Sequence, residues 1–121
     1  MKTFAITLGL CASLIATAAS AMTVQEFLTT ANGIPRNPTA LLRSDTRNLM
    51  TEFRGAMQTV KTEQTEARAA GRPGAACIPD KVRLSPDQIL ARFNAIPAAR
   101  RNISVTQATR EWMIETYPCP A

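Results

Sequence analysis

Few residues in this chain could carry chemistry, and their types narrow what that chemistry would be. The chain has no histidine and three cysteines. Cys77 sits in "PGAACIPDKV" after a long polar stretch, Cys119 in "TYPCPA" at the far end, and Cys11 within an apolar leader. A catalytic thiol wants a base beside it, normally His, and a metal site wants more ligands than two thiols supply. No catalytic residue, metal or cofactor is expected, and no Gly-rich phosphate loop is present. Glu111 and Glu115 stand one helical turn apart, a spacing that permits acid–base work. With Arg110 adjacent, the plainer expectation is a solvated face. Arg100 and Arg101 fall in a connector between two helical stretches, where paired guanidiniums suit carboxylates on a protein partner. Met50 and Met57 offer an adaptable apolar stripe, either ordinary core or the seam of a homodimer.

The leader decides the compartment. "MKTFAITLGLCASLIATAASAM" has one lysine, an apolar run from Phe4 to Ile15, and Ala19-Ser20-Ala21 as a small-residue cleavage pattern. This is the layout of a secretory signal over residues 1–21, and its apolar run falls short of the roughly 20 residues a membrane span needs. A lipoprotein signal at Cys11 is the rival, disfavoured by bulky Leu10 before it. The remaining chain, 22–121, is expected in the periplasm or outside the cell, with no stable membrane insertion. Two cysteines remain there, and in an oxidising compartment a pair favours one disulfide. At about 100 residues such a chain is one domain with a thin core, where a covalent staple matters. Without Lys2, thirteen Lys/Arg face nine Asp/Glu, a net charge of +4. The basic residues are dispersed and the aromatics few, which argues against nucleic acid and leaves a mild preference for acidic protein surfaces.

The elements that must position these residues are helical. Thr23 and Glu26 form a capping box before Val24, Phe27, Leu28 and Ala31, which share one face; Gly33, Pro35 and Pro38 end that helix. "TALL" predicts a helical turn burying Leu41 and Leu42. Ser44 or Asp45 should cap the longest element, whose apolar series is Leu49, Met50, Phe53, Ala56, Met57 and Val60. Gly71, Pro73 and Gly74 stop it. A helix of about 25 residues would be roughly 37 Å long, more than a compact domain requires, which hints at self-association or docking along its polar half. Ser85, Pro86, Asp87 and Gln88 signpost a third helix with Ile89, Leu90 and Phe93 inward. A fourth, capped by Ser104, turns Val105, Ala108, Trp112 and Met113 or Ile114 inward. Asn102-Ile103-Ser104 also fits a glycosylation pattern, but Ser104 is better placed as the cap. The expected fold is all-α, four helices, with no strands. If the last two helices form an antiparallel hairpin, Cys77 before one and Cys119 after the other come within bonding reach and close its open end.

The C-terminal half resembles a known family. Cys77-Ile78-Pro79-Asp80, Val82, the Pro97 connector and the closing Tyr117-Pro118-Cys119 are similar to the C-terminal half of the Rap/Tai immunity proteins. The resemblance covers residues 76–120 and is of moderate specificity. It implies a small, exported, helical, often dimeric binding protein. Its implied partner is a secreted, peptidoglycan-cleaving amidase effector of the type VI secretion system. A reading from another class is a small periplasmic structural or acid-stress chaperone-like protein, which likewise needs only a disulfide and a few helices.

Overall fold

The computed structural model describes residues 22–120; the expected signal segment, with Cys11, lies outside the described residues. Four α-helices follow one another: α1, Val24–Asn32; α2, Ser44–Ala69; α3, Pro86–Asn94; and α4, Val105–Thr116. Two 3-10 turns, Pro38–Leu42 and Ala98–Arg100, precede α2 and α4. The described residues are thus all-α, with only two isolated bridge pairs outside the helices.

Local chemistry explains most of the boundaries. Thr23, Ser85 and Ser104 each accept a hydrogen bond from the backbone N–H three residues on, satisfying donors the first turn leaves free. At α3 the box is reciprocal, because Gln88 also accepts from the Ser85 N–H at 2.8 Å. Gly71 ends α2 in the left-handed region, φ 69°. Around it, Arg72 N–H donates to Ala67 O and Gly71 N–H to Arg68 O, the paired bonds of a glycine-terminated helix. Two expectations change here. Neither Ser44 nor Asp45 caps α2; the 3-10 turn runs so directly into the helix that the cap position falls on Arg43, which makes no side-chain capping bond. Leu41 and Leu42 are not buried but 76% and 78% exposed. With three residues per turn, one residue in three can face the body. Ala40 takes that place, half-buried, with its carbonyl accepting from Thr46 Oγ1 at 2.6 Å.

The starts of α1 and α4 are stitched together. Val24 N–H donates to Ile103 O, Gln25 N–H to Arg101 O, and Val105 N–H to Met22 O, at 2.8–2.9 Å. Beneath this seam lies the larger of two core clusters, to which every helix contributes an aromatic ring. Phe93, fully buried, meets Phe27 edge-on with centroids 5.1 Å apart and Phe53 at 6.3 Å; Phe53 in turn meets Trp112 at 6.3 Å. Such pairs add about 0.5–1.5 kcal/mol each beyond the area they bury. The second cluster, Val60, Ala76, Ile78 and Met113, joins α2 and α4 to the irregular connector between α2 and α3.

The main helix partnership is α2 with α4. The covalent loop from Cys77 to Cys119 encloses both α3 and α4, with Cα atoms 4.9 Å apart. Yet α4 lies along α2, and α3 packs on α1; α3 reaches α4 through side chains such as Arg92, which pairs with Glu115 and lies over Trp112 at 5.9 Å. The bridge therefore pins the connector to the end of α4, rather than fastening a close α3–α4 hairpin.

Two outcomes follow for stability. Replacing both bridged cysteines by serine opens a loop with a sequence separation of 42 and should lower unfolding free energy by up to about 4 kcal/mol, read from urea denaturation with and without reductant. Thr109 is fully buried and its Oγ1 has no partner among the described residues. Thr109→Val removes that desolvated hydroxyl at nearly constant shape and should stabilise by about 1 kcal/mol, seen as a higher thermal midpoint.

Candidate functional site

The arginine pair is engaged within the molecule. Arg100 donates to Glu111 at 3.0 Å, and Arg101 donates through Nε to Ile96 O and through a terminal nitrogen to Asn94 O, both at 3.0 Å. Arg101 thereby caps carbonyls at the end of α3. Glu111 and Glu115 are held separately, by Arg100 and by Arg92. The Arg92 hydrogen bond keeps the exposed Glu115 carboxyl below its ordinary range, which favours its charged form and makes it a poor proton donor.

A third arginine–carboxylate contact joins α2 to α4. Arg110 clamps Glu63 with two roughly parallel bonds, Nε to Oε2 at 2.9 Å and a terminal nitrogen to Oε1 at 2.5 Å, and also donates to Gln107. The same hydrogen bonding lowers the Glu63 pKa and raises that of Arg110. The next residue, Gln64, reads the connector backbone: its Oε1 accepts from Ile78 N–H at 2.7 Å and its Nε2 donates to Ile78 O at 3.2 Å. Sequence reasoning missed both contacts. The signal for Gln64 is its register, four residues after buried Val60 on a helix whose polar half otherwise looks solvated. Among the described residues no group of His, Cys, Asp and Glu could hold a metal ion, and no helix is long and apolar enough to cross a membrane.

Two of the open surfaces are apolar grooves along α2. One, of about 660 Å³, lies between α1, the first 3-10 turn, α2 and α3; Phe27, Leu49, Phe53 and Ile89 line it and exposed Leu41 borders it. The other, of about 430 Å³, lies between α2 and the connector, lined by Met57, Val82 and Leu84 with Arg54 and Lys61. Met50, Phe53 and Ile89 belong to both. Met50 and Met57 are thus half-buried groove walls. Neither is among the most deeply buried core residues. What these surfaces can do is bind: they offer apolar area, soft methionine sulfurs and cations.

Compared with known protein families, curated proteins and solved structures, the chain matches none.

The Glu63–Arg110 clamp carries a pH signature. Glu63 has a folded pKa below its unfolded value, so its contribution is present above about pH 4.3 and lost as pH falls through the folded value. The pair is half-exposed, so solvent screening keeps the effect modest. Glu63→Gln should lose less stability than the native chain between pH 5 and pH 2, measured by denaturation at each pH.

Proposed function

We propose that the chain is an exported immunity-type binding protein that neutralises a peptidoglycan amidase by stoichiometric association. Its described surface offers apolar recognition area flanked by cations. The observation that carries the reading is the closed corner at the Cys77–Cys119 bridge. There Cys77 N–H donates to Tyr117 O at 2.7 Å, bringing together the Cys-Ile-Pro-Asp turn and the Tyr-Pro-Cys terminus on which the Rap/Tai resemblance rests. The two grooves and the projecting Leu41 and Leu42 supply a docking surface of the kind such a protein requires.

The acid-stress chaperone-like reading has its own support. Two arginine–carboxylate pairs, Arg110 with Glu63 and Arg92 with Glu115, tie α4 to α2 and to α3, and both carboxyls are held below their ordinary range by those arginines, so acid loosens both attachments.

One experiment separates them. The purified protein is immobilised, periplasmic extract is passed over it, and retained fractions are assayed for release of fragments from purified peptidoglycan. The immunity reading expects an amidase held at one-to-one stoichiometry and silenced by added protein. Retention of no cell-wall amidase removes it. A hydrophobic dye that brightens sharply at pH 2–3 in the same preparation supports the chaperone-like reading, and a flat response removes that one.

A further inference from the structure

We infer that the partner docks along one flank of α2 and is an acidic protein segment whose apolar side chains enter the Met50–Met57 groove; this rests on the binding-protein reading above. The helix is divided by charge. Arg47, Arg54, Lys61 and Arg68 recur every seven residues. A heptad drifts by about 20° on an α-helix, so the four occupy an arc of about 60° and extend over about 31 Å. Asp45, Glu52, Glu63 and Glu66 fall on the other side of the buried line Leu49, Phe53, Ala56, Val60. The acidic flank is the one that faces α4, through Glu63 and Arg110. On the basic flank none of the four cations pairs with a carboxylate among the described residues.

The methionine groove runs beside that basic flank. Arg54 and Lys61 line it from α2, while Val82 and Leu84 close it from the connector, where Lys81 and Arg83 are exposed and likewise unpaired among the described residues. An apolar trough with cations on both banks is complementary to an apolar ridge with carboxylates on both sides. A second copy fits poorly, because a two-fold contact across Met50 and Met57 would set Arg54 and Lys61 against their own equivalents. A lipid surface fits poorly as well, because interfacial helices present protruding apolar side chains, whereas these methionines are half-buried.

The test uses the full protein with isotope-labelled methionine methyls and two amphipathic helical peptides of identical apolar face, one with glutamates and one with lysines on the polar face. Vesicles of phosphatidylglycerol form a third arm. The glutamate peptide should bind, shift the Met50 and Met57 methyl signals, and lose affinity by about tenfold or more from low to physiological salt. The lysine peptide and the vesicles should leave those signals in place. R54E/K61E should abolish the shifts, and the milder R54A/K61A should weaken binding at least tenfold; both positions border solvent, and circular dichroism verifies the fold. Equal binding of the two peptides, shifts that map elsewhere, or vesicle binding without peptide binding overturns the inference. If the amidase is captured and R54E/K61E silences it as well as the native chain does, the docking surface is wrong while the immunity reading stands. Failure to capture an amidase leaves the peptide result to decide the groove alone.

Discussion

One covalent constraint lets a stretch with no helix of its own act as a wall of the core. Between Ala69 and Pro86 the chain is irregular, yet Ala76 and Ile78 within it are buried against Val60 and Met113. Irregular chain pays full conformational entropy for such burial and has few repeating hydrogen bonds to offset it. The Cys77–Cys119 bridge removes part of that freedom from the unfolded ensemble. Two further contacts then fix the register: Cys77 N–H on Tyr117 O, and the two-sided grip of Gln64 on Ile78. The side-chain amide of Gln64 offers the donor and acceptor that a neighbouring strand would have offered. Buried backbone near Ile78 is satisfied without a sheet.

The opposite end of the molecule solves the same problem without covalent help. The first turns of α1 and α4 would each leave N–H groups unpaired. Thr23 and Ser104 take some of these, and the crossing bonds among Met22, Val24, Ile103 and Val105 take others. This seam sits over the aromatic cluster centred on Phe93. A small domain with a thin core thus closes one end by packing and backbone pairing and the other by a disulfide.

The helices were legible because their boundaries are written locally. Ser85-Pro86-Asp87-Gln88 and Ser104 through Gln107 state a cap within four residues, and Gly71 states a stop in one. Partner choice was less legible, since α4 could satisfy its inward stripe against α3 or α2, and spacing alone does not distinguish them. What decides is long-range: Arg110 reaching Glu63, and Met113 meeting Val60 across α2. Leu41 and Leu42 misled for a related reason. Their apolar character is plain, but which residue of a 3-10 turn faces inward depends on where the turn lands. The site was legible only in part. The methionines were visible as a stripe and the arginine pair as charge, whereas the consumption of Arg100 by Glu111 and of Arg101 by α3 carbonyls belongs to tertiary structure.

The length of α2 looked excessive for a domain of this size, and the fold gives the excess a use. Its N-terminal half supplies Leu49, Phe53 and Ala56 to the aromatic cluster, and its C-terminal half carries Val60, Glu63 and Gln64, which hold the connector and α4. Both halves share the same buried line; Glu63 works from its acidic side and Gln64 from the methionine side. A helix fixed in this way on both sides of its buried line, over 26 residues, has little freedom to rotate. The outer face, with Arg47, Arg54, Lys61 and Arg68, is therefore presented in a constant orientation. Cations spaced at seven residues on a rigid rod keep their backbone spacing, so binding has only their side-chain rotamers left to order. Contacts to α4 on one flank and to the connector beside the methionines fix the helix, and the groove is set between them.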